Sequence, residues 1–143
     1  MRAPKANLLV IIILLSNIVT VFSQEIGIGE WRDHLPYRNV IAVTDGGTRI
    51  FAATPYALFY LDHDDNSLNR VTKINGLSDV GISSIEYNKK YNTLVIAYSN
   101  ANIDLIKGDR IINLSDIKRK PILGDKSINS IVFIDNLAYL VLV

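Results

Sequence analysis

The feature that most constrains the fold is an internal repeat. Three segments of this 143-residue chain open on a branched aliphatic pair three residues apart: Val40 and Val43, Ile82 and Ile85, Ile128 and Ile131. Their first members, Val40, Ile82 and Ile128, recur at intervals of 42 and 46 residues. In the first segment a polar turn follows, then IFAAT, then PYALFYLD; in the second, a polar turn, then LVIAY, then SNANIDLIK. The third, SINSIVFIDNLAYLVLV, is within its second strand when the sequence stops. Periods in the low to middle forties belong to four-stranded propeller blades or to helical repeats such as HEAT. The helical alternative fails. The apolar runs IFAA, ALFYL and LVIAY are four or five residues long, and no window of helical length carries an apolar stripe of period 3.6.

The runs are separated by turn chemistry: Asp45-Gly46-Gly47, Asp64-Asp65-Asn66, Asn88-Lys89-Lys90, Lys107-Gly108-Asp109 and Asp135-Asn136. Asp, Asn and Gly accept the turn conformations that branched residues resist. One blade can therefore be drawn from the sequence. Val40–Val43 is the inner strand, Ile50–Ala53 the second, Ala57–Leu61 the third and Leu68–Thr72 the fourth. Thr54-Pro55-Tyr56 is a connection, where proline does not have to donate to a ladder. A blade lies between two other blades, so runs that are apolar on both faces fit. Small Ala52, Ala53 and Ala97 let the sheets approach closely. The fold class predicted is all-β: a partial β-propeller of about two and a half blades over residues 40–143. The terminal run LAYLVLV, an uncovered strand edge, predicts that these blades are the front of a longer chain.

Residues 1–23 read as a secretory signal peptide. Arg2 and Lys5 precede the apolar run Leu8–Leu15, and Val21-Phe22-Ser23 places acceptable residues at a signal-peptidase site, with cleavage between Ser23 and Gln24. A membrane span needs roughly 20 apolar residues, and this run is shorter and interrupted by Ser16 and Asn17. No Cys follows it, so a lipoprotein anchor is excluded. Without residues 1–23 there remain 120 residues with 13 Lys and Arg against 14 Asp and Glu. A near-neutral chain has no electrostatic basis for nucleic-acid binding. The absence of Cys excludes disulfides and thiolate zinc. No cofactor is predicted.

Several motifs have a chemical reading and a plainer one. Asp62-His63-Asp64-Asp65-Asn66-Ser67 begins like a calcium loop. However, Ser67 stands where the turn glycine belongs and Lys73 where the bidentate carboxylate belongs, so a solvated hairpin is the better reading. Asn113-Leu114-Ser115 fits the N-glycosylation acceptor, which matters only in a eukaryotic secretory route. Neither histidine, His34 or His63, sits in a recognisable nucleophile context. Glu30 and Asp33 are a carboxylate pair without evidence of the spacing that glycoside hydrolysis requires. Residues 24–39, with GEWRDHLPYRN at their core, read instead as a strap in which Trp31 and Tyr37 bury against the first blade and Pro36 holds the chain extended. The most specific string is Ile74-Asn75-Gly76-Leu77-Ser78-Asp79, where the chain must cross from one blade to the next.

Asn75-Gly76-Leu77-Ser78 followed by Ile82 and Ile85 resembles the two-component-regulator propeller repeat. Phe51-Ala52-Ala53-Thr54 and Val95-Ile96-Ala97-Tyr98 stand for its aromatic strand, and Ala57-Leu58 and Asn102-Ile103 for its Gly-Leu step. These departures mark a diverged repeat. The opening stretch carries a nearer resemblance. A signal peptide, then Ile26, Gly27, Gly29, Trp31, Arg32, His34, Leu35, Pro36 and Tyr37, then blades, is similar to PorZ-type proteins. These are surface β-propeller components of the Bacteroidota type IX secretion system. The resemblance implies two propellers and a carboxy-terminal sorting domain in the whole protein. It implies a non-enzymatic role in the outer-membrane attachment complex, with the other complex proteins and the sortase as partners and anionic lipopolysaccharide as ligand. It places no ligand-binding residue on this segment. Two rival readings share the blade signature: the periplasmic sensor region of a hybrid two-component regulator, and a propeller enzyme acting on glycans.

Overall fold

The computed structural model describes residues 38–135 and 137–142. In it β1 (Ala42–Asp45), β2 (Arg49–Ala53), β3 (Ala57–Asp62) and β4 (Leu68–Thr72) form an antiparallel sheet in chain order. A second such sheet holds β5 (Ile82–Asn88), β6 (Thr93–Tyr98), β7 (Ile103–Lys107) and β8 (Arg110–Leu114). β9 (Ile128–Ile134) and β10 (Leu137–Leu142) pair as a third, two-stranded sheet. This is a partial β-propeller: two four-stranded blades and the inner hairpin of a third.

Short polar side chains build the hairpins. The Asp45 carboxylate accepts the Gly47 N–H at 2.8 Å, and the Asp65 carboxylate that of Ser67 at 2.8 Å. The Asn88 side-chain oxygen accepts two backbone N–H groups, at 3.0 and 3.1 Å, in the turn before β6. Asn66, Asn92 and Asp135 take positive φ in these turns, as only Gly, Asn and Asp do readily.

The aliphatic pairs three apart have a specific geometry. In a regular strand, residues i and i+3 point to opposite faces. Here the β5–β6 register slips by one residue between Ile82 and Ser84, so a β-bulge returns Ile82 and Ile85 to one face. The β9–β10 ladder slips in the same place, with Leu142 opposite Ile128 and Val141 opposite Ser130. Ile82 and Ile85 are buried between the first and second sheets with Phe51, Leu58, Leu94 and Ile96. Ile128 and Ile131 are buried between the second and third with Val95, Ala97 and Ile103. Each large side chain so buried contributes on the order of 1.5–3 kcal/mol. Phe51 stacks on Tyr87 at a centroid distance of 5.7 Å, and the Thr44 hydroxyl accepts the Tyr87 N–H at 3.2 Å, tying adjacent inner strands.

Three details differ from the sequence reading. β1 begins at Ala42 rather than Val40. Val40 and Val43 are exposed, at 50% and 61%, because they point away from the second sheet. A single helical turn, α1 (Asp116–Arg119), follows β8. It occupies the longer link that gives the second repeat its extra four residues.

Candidate functional site

The densest set of polar contacts lies where the chain crosses from the first blade to the second. The Asn75 side chain closes the end of β4: its oxygen accepts the N–H and hydroxyl of Thr72, and its amide donates to the Arg70 carbonyl at 3.0 Å. Gly76 then passes so close to β8 that an added Cβ would stand 2.8 Å from the Ile111 side chain, with φ at +154°. Leu77 drops into the core at 3% exposure. Asn75, Gly76 and Leu77 of the Asn-Gly-Leu-Ser string thus each have a separate task in the crossing.

Ser78 leads to a group that sequence reading missed. Its N–H donates to Asp104, a fully buried carboxylate on β7, at 2.8 Å. The buried Tyr98 hydroxyl donates to the same Asp104 oxygen at 2.6 Å, and the Asn113 amide donates to the other at 2.9 Å. The carboxylate therefore couples the crossing segment to β6, β7 and β8. Burial, with the hydrogen bond to Asp104, pushes the Tyr98 phenol far above its usual range. The available clue was an acidic residue alternating with Ile103 and Leu105 in an apolar strand. Only the register shows that it faces Ser78 and Tyr98.

Asp79 is the second hub. Its carboxylate meets Lys118 at 2.6 Å, the Asn100 amide at 2.7 Å and Lys73 at 3.5 Å. Burial works to raise its pKa, but the hydrogen bonds from Lys118 and Asn100 outweigh it and hold the carboxyl well below the usual range. Both carboxylates are committed to hydrogen bonds that join segments of the propeller. Beside them, the 115–127 link runs from the second blade to the third. It projects Ile122, 44% exposed, and Leu123, fully exposed.

The motifs singled out from sequence are dispersed. Ser23, Gln24, Glu30, Trp31, Asp33, His34 and Tyr37 lie outside the described residues. Asp62 receives the Arg49 guanidinium at 2.9 Å and the Asp64 N–H at 3.1 Å, and His63 is exposed in the same hairpin. No group of three or more His, Cys, Asp or Glu able to hold a metal occurs among the described residues. The Asn113 amide nitrogen donates to Asn102, Ile103 and Asp104, which makes this asparagine part of the Asp104 network. A groove of about 480 Å³ opens between the second blade and the β9–β10 hairpin, lined by Leu105, Leu114, Ile117, Phe133 and Leu140 among others. A smaller cavity of about 200 Å³ lies between the first two blades, lined by Phe51, Leu58 and Tyr60 on one side and Ile106 and Ile111 on the other.

Comparison with known proteins agrees with this architecture. Residues 50–142 match the family described as the N-terminal β-propeller domain of PorZ, of the type IX secretion system. The chain belongs to the PorZ N-terminal β-propeller family. The match covers more than half of the chain and starts within β2, so it rests on the blades and not on the opening GEWRDHLPYRN stretch. A solved structure of PorZ from Porphyromonas gingivalis aligns at 29% identity and a TM-score of 0.65. The alignment covers 71% of this chain and 14% of that chain. That PorZ is described as an essential bacterial surface component of the type IX secretion system of this human oral-microbiomic species. A chain from the yeast complex of Dbp5 with Nup159 and Gle1 aligns at 13% identity and a TM-score of 0.29, over 84% of this chain and 42% of that one, which carries no argument. No curated protein matches. Among the described residues no helix is long and apolar enough to cross a membrane.

Proposed function

We propose that this chain is the front of an exported, non-enzymatic propeller component of the type IX secretion machinery. It works at the cell surface within the outer-membrane attachment complex and helps to present anionic lipopolysaccharide to the sortase. The observation that carries this reading is the family match from β2 through the third hairpin, with the solved PorZ structure aligned over 71% of the chain. The polar clusters are consistent with a scaffold. Asp104 and Asp79 spend their hydrogen-bonding capacity on joining strands and links.

The test has two arms. Deleting the gene should leave secretion-system cargo unattached at the surface, and restoring it should recover attachment; unchanged attachment in the deletion strain overturns the role. The full-length protein should retain anionic lipopolysaccharide in a sedimentation assay and release it as salt rises. Equal retention of an uncharged lipopolysaccharide would overturn the ligand assignment alone.

A further inference from the structure

The link between the second and third blades departs from the repeat. Between β4 and β5 the crossing takes residues 73–81; between β8 and β9 it takes 115–127, four residues more. In repeat proteins, insertions of this kind gather on one face, often the binding face. The inserted stretch contains Lys118-Arg119-Lys120-Pro121-Ile122-Leu123. Leu123 is fully exposed and Ile122 nearly half exposed, which puts two adjacent aliphatic side chains in water at the loop tip.

The loop is braced. The Lys126 ammonium donates to the Lys118 carbonyl at 2.8 Å and the Lys120 carbonyl at 3.1 Å, which pulls the two ends of the tip together. Lys118 reaches Asp79 at 2.6 Å, and the α1 backbone closes with Arg119 N–H on Ser115 and Lys120 N–H on Asp116. The tip is therefore held out by its base. Its charge is net basic: residues 116–126 carry Lys118, Arg119, Lys120 and Lys126 against Asp116 and Asp125. Lys118 is committed to Asp79 and Lys126 to the two carbonyls, so the cations beside the tip are exposed Lys120 and Arg119, the latter 3.7 Å from exposed Asp116.

From this combination we infer that the 116–126 loop is a contact site for a phosphate-bearing lipid surface, with Ile122 and Leu123 entering the acyl boundary and Lys120 and Arg119 meeting the headgroup phosphates. Two aliphatic side chains at the apex and cations just behind match the depth order of a lipid interface, apolar inside and anionic at the rim. A protein groove would need the apolar tip but would give no reason for Arg119 and Lys120 beside it. The inference does not depend on the secretion reading, because it draws only on this loop.

The full-length protein is mixed with vesicles of phosphatidylcholine alone or with 30% phosphatidylglycerol (an order-of-magnitude choice, about one anionic lipid in three). These vesicles carry no saccharide, so the result is separate from lipopolysaccharide retention. The protein should float with the anionic vesicles and not with the neutral ones. Binding should fall about fivefold for Lys120→Ala and about tenfold or more for Ile122→Ser with Leu123→Ser. Excess glycerol phosphate should not strip the protein; release by it would reassign the site to a free phosphate and overturn the lipid contact. A dye on Leu123→Cys reports the tip directly. Its emission should shift to the blue with anionic vesicles only. No shift, or a tip already shielded before lipid is added, overturns the inference, as would equal binding of the Ile122→Ser/Leu123→Ser variant. A tip shielded only after a purified attachment-complex protein is added would make the loop a protein contact and overturn it likewise.

Discussion

Removing the Asp104 carboxylate should loosen the crossing between the first two blades more than any surface charge could. Asp104 and Tyr98 are fully buried, and the carboxylate accepts from Tyr98 at 2.6 Å, Ser78 at 2.8 Å and Asn113 at 2.9 Å. In Asp104→Ala the Asn113 amide, on an exposed residue, turns to water or to its other acceptors. The fully buried Tyr98 hydroxyl has no such recourse, and the half-buried Ser78 N–H loses a charged acceptor. A buried donor left without its partner costs about 1–3 kcal/mol, more when the partner was charged. One fully buried and one half-buried donor set the expected loss at about 2–4 kcal/mol. Tyr98→Phe removes one donor together with its need, so it should cost only about 1–2 kcal/mol. The two changes share an interaction. In the Tyr98→Phe background, Asp104→Ala should therefore cost less by about 1–2 kcal/mol, within the usual range for residues in contact. Urea denaturation of the full-length protein, followed by hydrogen exchange of peptides spanning residues 73–82, measures the global and local losses. Strictly additive effects, or an Asp104→Ala protein within about 0.5 kcal/mol of wild type, would refute the coupling.

The pH limits of the same region follow from its two shifted groups. Asp79 has a folded pKa held below its ordinary 3.8, so its contribution is present above that value and is lost as pH falls through and below it; Asp79→Asn should flatten this acid limb in a pH series of melting temperatures. Tyr98 has a raised folded pKa, so its contribution is intact below its ordinary 10.0 and declines as pH rises beyond it; Tyr98→Phe should remove that part of the alkaline loss in the same series. Gly76→Ala puts a methyl 2.8 Å from Ile111 at positive φ and should lower stability by about 1–3 kcal/mol, measured as a shift in urea midpoint; an unchanged midpoint would show that β8 yields freely. Residues 38–143 expressed alone expose Val43 and Leu68 on one outer face and Tyr139 and Val141 on the other; they should self-associate with rising concentration in sedimentation velocity, less so in Val141→Lys, since a lysine on an edge strand opposes edge pairing.

Much of this fold could be read without coordinates. The strand runs, the hairpin turns at Asp45, Asp64, Asn88, Lys107 and Asp135, and the crossing at Asn75–Ser78 are local matters of side-chain shape and turn preference, and these are written directly in the order of residues. The spacing of the Val40, Ile82 and Ile128 pairs determined that the units are blades. What the repeat could not state is which face each residue takes. The three-residue spacing of Ile82 and Ile85 becomes a single buried face only through the bulge at Ser83, and the same pair in the first blade, Val40 and Val43, is left exposed because no sheet packs there among the described residues. Asp104, Tyr98 and Ser78 are a site only because strand register and the return of the crossing segment bring together groups up to 26 positions apart. The braced Ile122–Leu123 tip is set by Lys126 folding back onto two carbonyls and by an ion pair to Asp79 across 39 positions. Sequence by itself determined the elements and their repetition, because those depend on neighbours in the chain. Tertiary structure alone decided which charges are buried, which are shared and which apolar groups remain in water, because those depend on neighbours in space.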